Sequence, residues 1–222
     1  MGLANRIKFL LAGDVLDAIN PRIPGRPHDR VARMVGREPG SVLDICAGTG
    51  YLARLIARAN PDATVNALDA SPEMLAVGRR KARKDGLHSV RFVSGDAAAL
   101  PFADASLDVV VAAFGVHELP RDVRARALAE TVRALRPGGR FVAVDLDRPS
   151  RRTFAFDAYV RVFEAAHARD VLGDGLVVSL GDAGLTVTEH IASQGGPLTF
   201  QLVQARSPGS ARRGYDQNSS QA

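Results

Sequence analysis

The sequence predicts an α/β fold in which a doubly wound sheet of seven strands is mostly parallel, with one antiparallel strand from a C-terminal hairpin. Three observations carry this reading. Between residues 40 and 146, short apolar runs alternate with amphipathic helical stretches, the pattern of parallel crossover units. One such run ends in Gly48-Thr49-Gly50 and passes directly into a helix. Near the end, two β-rich runs are joined by Ser193-Gln194-Gly195-Gly196, a link too short for a crossover, so those strands must be antiparallel. Together they describe a Rossmann-like sheet.

Taken in order, residues 1–20 place Leu3, Ile7, Leu10, Leu11, Leu16 and Ile19 on one face of a helix. A link with Pro21, Pro24 and Pro27 follows, then a short helix with Val31, Met34 and Val35 inward. Ser41–Cys46 reads as the first strand, and Tyr51–Asn60 as a helix stopped by Pro61. Ala63–Asp69 is the second strand. Ser71-Pro72-Glu73 opens the next helix with a capping hydroxyl, a proline at the first helical position and an acid in the first turn; Gly86 ends it. Val90–Ser94 and Leu107–Phe114 are the third and fourth strands. A helix from Arg121 to Arg136 is closed by Pro137-Gly138-Gly139 before the fifth strand, Arg140–Asp145. Residues 153–172 and Val177–Ala183 read as helices, Leu185–Ile191 and Pro197–Ala205 as the hairpin strands. The expected organisation is one domain over residues 1–205, with a lid at 1–27, a substrate roof at 147–183 and a disordered tail at 206–222.

The 222 residues suffice for one well-filled α/β domain. No apolar run reaches the roughly 18 residues needed to span a bilayer. The apolar start is broken by Arg6 and Lys8 and followed by Asp14 and Asp17, which argues against a signal peptide and for a cytoplasmic protein. A single cysteine, Cys46, excludes an internal disulfide and reads as a small packing residue; no Cys/His cluster suggests a metal. The net charge of +5 is spread over many helices, without a zinc finger, RNA-binding aromatic motif or long basic run, so nucleic acid is not the expected substrate.

The glycine turn is the centre of the chemistry. Gly48 and Gly50 let the backbone approach a ligand that a Cβ would repel, and the following helix offers free N–H groups. Gly48-x-Gly50-x-x-Ala53, with Asp69 downstream, also satisfies the dinucleotide pattern, so glycines alone do not separate a nicotinamide enzyme from one using S-adenosylmethionine (SAM). Three neighbours do. Asp44 puts a carboxylate at the strand end, where it suits a methionine ammonium and sits badly beside a pyrophosphate. Gly95-Asp96-Ala97 supplies an acceptor for an adenine amino group, with Leu100-Pro101-Phe102 as apolar walls. The terminal hairpin is foreign to most dinucleotide domains.

The runs VLDICAGTG, ALDASPEML, FVSGDAAALPF, LDVVVAAFGVHEL and ALRPGGRFVAVD, in that order over residues 40–146, resemble the class I SAM-dependent methyltransferases. Within that class they are most similar to the ubiquinone/menaquinone biosynthesis type. The resemblance implies SAM as cofactor. Gly48 and Gly50, with Ala47 and Thr49 of the same turn, would lie against its methionine and ribose, and Asp44 near its amino group. Asp69 would accept from both ribose hydroxyls, Ala70 beside it, with Met74 packed near the adenine. Gly95, Asp96 and the backbone of Ala97 would read the adenine edge, and Phe114 would lie beside the methionine end. Where the quinone enzymes carry an Arg-Asn pair, this chain has His117-Glu118.

His117 and Glu118, just past the fourth strand, are the candidate catalytic residues, His117 as a general base. Asp145 and Asp147 flank the fifth strand end and are candidates to face substrate, whereas His28, His88, His167 and His190 have no nameable partner and read as structural or exposed. Tyr51 is placed either over the cofactor or over the helix start. Phe154, Phe156, Tyr159 and Phe163 would wall a pocket for a flat or greasy small molecule, a quinone precursor or secondary metabolite. The alternatives are a phospholipid N-methyltransferase using the amphipathic N-terminus for peripheral membrane contact, and a SAM-binding protein without transferase activity. The sequence leaves a homodimer open.

Overall fold

The computed structural model describes residues 13–37, 39–148, 166–192 and 199–209. Runs of Val, Leu, Ile and Ala form seven strands: β1 (Ser41–Ile45), β2 (Thr64–Asp69), β3 (Val90–Ser94), β4 (Leu107–Ala113), β5 (Leu135–Leu146), β6 (Thr186–Ala192) and β7 (Phe200–Arg206). They make one sheet in the order β3-β2-β1-β4-β5-β7-β6. Pairing is parallel from β3 through β5, while β7 runs antiparallel to both neighbours, β5 and β6. The single antiparallel strand expected from the hairpin is thus β7. The order reverses direction between β1 and β4, and at such a switch point a crevice opens beyond the strands' carboxyl ends.

The helices are α1 (residues 13–19), α2 (Pro27–Val35), α3 (Tyr51–Ala59), α4 (Pro72–Lys84), α5 (Arg121–Ala134) and α6 (Gly175–Asp182). Strand side chains alternate between faces, so the sheet carries two cores. Leu43, Ile45, Val110, Phe141 and Val203 pack with Leu128 of α5 and Leu176 and Leu180 of α6. Val42, Val65, Val111, Val144 and Leu202 pack with Val31 of α2 and Leu52 and Ile56 of α3. Ser71 caps α4 as expected, its hydroxyl accepting from the Met74 amide at 3.2 Å.

Two boundaries differ from expectation. Helix α5 stops at Ala134, and Pro137-Gly138-Gly139 lies inside β5 as an irregular stretch, since Leu135 already pairs with Leu107 before the register shifts. The helix expected at 153–172 is described only from residue 166, as a 3-10 turn over Ala166–Val171. Arg6, Lys8, Phe154, Phe156, Tyr159, Phe163, the hairpin link and the tail beyond residue 209 lie outside the described residues. Among the described residues no helix is long and apolar enough to cross a membrane, and no group of three potential metal ligands occurs.

Helix α4 is pressed against the glycine turn at Gly78. A Cβ there would lie 2.3 Å from the Thr49 carbonyl oxygen and 2.4 Å from the Phe92 ring. The first obstacle is backbone and cannot swing away. Gly78→Ala is therefore expected to destabilise the fold by about 1–3 kcal/mol, read as a lower denaturant midpoint.

Candidate active site

Chain geometry at the ends of β1 and β4 creates the site. Cys46 and Phe114, the residues following these strands, both adopt positive φ, 52° each, which turns the chain outward. Gly48 and Gly50 are also left-handed, and Gly50 precedes α3 without any side-chain cap. A Cβ on Gly48 would meet only the Met74 methyl, at 3.8 Å, so this stretch of backbone stands open.

Around it lies a cavity of about 540 Å³. Its walls include Asp44, Cys46, Ala47, Gly48, Thr49, Tyr51, Asp69, Met74, Phe114, His117 and Glu118, together with His28 and, from the N-terminal segment, Leu16, Ile19, Asn20 and Ile23. Most residues picked from sequence are therefore brought together. Gly50, Ala70, Gly95, Asp96 and Ala97 are outside this lining. The Gly95 segment stands next to it nonetheless, because Ser94 pairs with Asp69 and the Gly95 amide donates to the Asp69 carbonyl at 3.1 Å. Asp96 Oδ1 accepts from the Ala98 amide at 2.8 Å, and Ala97 is buried in the core.

The two strand-end acids differ. Asp69 splits its carboxylate between backbone donors: Oδ2 accepts from Gly48 N–H at 2.7 Å and Oδ1 from Ser71 N–H at 2.8 Å. It thereby shapes the glycine turn and the start of α4, and each oxygen retains a second lone-pair direction. Asp44 is 1% exposed; Oδ2 accepts from the Ala53 amide at 3.1 Å, but Oδ1 is buried without a partner. Burial, reinforced by the charge of Asp69 and only partly offset by the Ala53 amide, pushes its pKa up to about 8. Burial also lifts the Cys46 thiol, a partly buried wall of the cavity, to about 12.

A second constellation lies at the end of β5. Asp145 is fully buried; Oδ2 accepts the amides of Val116 and His117 at 3.0 and 3.1 Å, and Oδ1 accepts the Leu146 amide at 2.7 Å and pairs with His117 Nδ1. His117 lies between two acids, with Nδ1 on Asp145 and Nε2 3.4 Å from Glu118 Oε1. Asp145 thus lies beneath the histidine rather than facing substrate. Asp147 is likewise turned to the backbone, accepting the amides of Arg148 and Gly173. The strand register carried a signal for the pairing, since β4 and β5 are neighbours that end together, with Ala113 opposite Val144.

His28, read as structural or exposed, is instead a wall of the cavity. Its ring stands edge-on to Tyr51, with centroids 5.1 Å apart, and 5.6 Å from Phe114. The N-terminal segment is bound to the glycine turn by charge. Asp17 of α1 accepts from Thr49 Oγ1, from Arg54 at 2.6 Å and from Lys81 at 2.9 Å. Burial works to raise the Asp17 pKa, but these donors and the Arg54 charge outweigh it and hold it below the ordinary value.

Residues 42–139 match the family described as methyltransferase domain. This stretch, less than half of the chain, is what is similar to a methyltransferase domain. The surrounding chain is 42% identical over 118 residues to demethylmenaquinone methyltransferase of Thermus thermophilus, covering 53% of this chain and 52% of that protein. It is 36% identical over 159 residues to the ubiquinone/menaquinone biosynthesis C-methyltransferase of Caulobacter vibrioides, covering 64% of this chain and 61% of that protein. The matched stretch thus spans between half and two thirds of either relative. Geranyl diphosphate C-methyltransferase of Streptomyces coelicolor, solved with S-adenosylhomocysteine, shares the fold: TM-score 0.65, 13% identity, 81% of this chain and 79% of that one.

SAM is the cofactor of such a domain, and the cavity fits it. An orphaned carboxylate oxygen beside open glycine backbone is what a ligand carrying an ammonium next to an uncharged chain requires. A cationic group there would draw the Asp44 carboxyl into its ionised form, whereas a pyrophosphate would only hold it protonated.

Proposed function

We propose that the protein transfers the methyl group of SAM to a small, flat, largely apolar acceptor, a quinone precursor being the first choice. The unpartnered Asp44 oxygen at the glycine turn carries the cofactor part of this reading. The names of the relatives and the apolar walls Leu16, Ile19, Ile23 and Phe114 support the acceptor.

In this reading Asp44 pairs with the methionine ammonium, while Ala47, Gly48, Thr49 and Gly50 line the methionine and ribose. Asp69 uses its remaining lone pairs for the ribose hydroxyls with Ala70 alongside, Met74 packs near the adenine, and Gly95, Asp96 and Ala97 read the base edge. Phe114 flanks the methionine end. The segment 1–27 acts as the lid, with Leu16, Ile19, Asn20 and Ile23 among its described residues on the cavity wall. Bound SAM supplies an activated methyl group, so the protein's part is to align, exclude water and manage one proton. His117 Nε2 accepts that proton from the acceptor hydroxyl, Asp145 stabilises the resulting imidazolium, and exposed Glu118 lies next to it for onward transfer.

The decisive measurement is a calorimetric titration with SAM and S-adenosylhomocysteine, followed by a methyl-transfer screen of reduced quinone precursors. Micromolar binding with turnover supports the reading; the absence of binding overturns it. Asp69→Asn should weaken SAM by about tenfold or more, since charge-assisted hydrogen bonds are worth roughly 1.5–3 kcal/mol each. Unchanged affinity in a folded variant would remove Asp69 from the cofactor site.

A further inference from the structure

His28 has no part in the steps above, yet it is 5% exposed and lines the same cavity. It is the second residue of α2, and its ring meets Tyr51 at 86° and Phe114 at 58°, so three planar side chains come together on one wall. Such an arrangement of ring faces and edges favours a flat aromatic partner. Its Nδ1 is buried and has no hydrogen-bond partner. Buried polar nitrogens in folded proteins are seldom left so, and each exception calls for a physical reason, a functional role among them. Burial also lowers the imidazole pKa to about 4 against the opposing charges of Asp29 and Asp17, so the ring is neutral at physiological pH and offers one donor and one acceptor. Cofactor contacts are met elsewhere, by the glycine turn, Asp44 and Asp69. His28 stands instead on the element that follows the lid residues Ile19, Asn20 and Ile23.

We propose that His28 is a specificity-determining residue that hydrogen-bonds an oxygen substituent of a flat aromatic acceptor seated against Tyr51 and Phe114. This rests on the methyltransferase reading above. His117 then handles the oxygen that gives up its proton, and His28 recognises a second one. Together they select acceptors carrying two oxygens over those carrying one.

The test uses the full chain saturated with S-adenosylhomocysteine, titrated under argon with naphthohydroquinone and with the singly hydroxylated naphthol. Wild-type protein should prefer the doubly oxygenated ring by about tenfold, the worth of one well-placed hydrogen bond. In His28→Phe, which preserves the ring packing, the preference should fall to about one while S-adenosylhomocysteine affinity stays unchanged. His28→Gln should recover part of it. A preference that survives in His28→Phe overturns the inference, as does equal binding of the two rings by wild type. Equal weakening of both rings in both variants also overturns it, because that would mark a packing role. Failure of wild type to bind S-adenosylhomocysteine at all would strike the methyltransferase reading itself.

Discussion

Replacing His117 with glutamine should slow methyl transfer by about 10²–10⁴-fold, the usual contribution of a positioned general base, while S-adenosylhomocysteine affinity stays within about threefold. The expectation follows from geometry. Asp145 is fully buried beneath the ring and accepts three backbone amides, so it holds the imidazole in one orientation. Asp145→Asn should be the more damaging change. An amide group in its place would turn a donor toward backbone N–H groups or toward Nδ1, costing both stability and the ring's orientation. Single-turnover rates of wild type and His117→Gln at saturating SAM provide the check. A variant that keeps wild-type kcat would exclude His117 from proton transfer and leave the acceptor to ionise unaided.

Asp44→Asn should act in opposite directions on stability and on cofactor affinity. In the folded protein the Asp44 carboxyl holds its proton up to about pH 8, whereas in the unfolded chain it releases it near the ordinary value of 3.8. Stability from this site is therefore complete below about pH 4 and is lost progressively as pH rises to about 8. Asparagine cannot ionise, so the variant should overtake wild type in denaturant resistance at about pH 8 and match it near pH 4. An ammonium seated on Asp44 would reverse the preference of the carboxyl, so cofactor binding near neutral pH should release a proton. Calorimetry in two buffers of different ionisation enthalpy reads that release directly. The variant should bind S-adenosylhomocysteine about tenfold or more weakly, with no linked proton. Identical pH dependence of stability in the two proteins would show that Asp44 ionises normally.

The parallel half of the sheet was legible in sequence because its strands are buried on both faces and read as continuous apolar runs, as in Leu107–Ala113. The glycine turn and the Ser71 cap were legible because each feature demands particular residue types. Less accessible was the pairing of His117 with Asp145, which joins residues on neighbouring strand ends that only the register brings together. His28 was opaque for a different reason. Its helix has Arg26, Asp29, Arg30 and Arg33 around it and looks solvated, and its burial depends on Tyr51 and Phe114, both remote in sequence. The end of α5 was misplaced because Pro137-Gly138-Gly139 resembles a helix stop, yet strand pairing to Leu107 had already begun at Leu135.

The position of β7 has a consequence for how the chain assembles. This strand, the last in sequence among the described residues, is hydrogen-bonded on both sides, filling the place between β5 and β6. Until Phe200–Arg206 is available, β5 presents an open edge of backbone donors and acceptors, and β6 has no strand to join. Contacts spanning so much of the chain are slow to form. A nascent or truncated chain lacking this segment would therefore expose a sticky, half-built sheet beside an otherwise formed cofactor turn. Seating β7 completes the sheet, and a chain without it would be open to strand-by-strand pairing at β5.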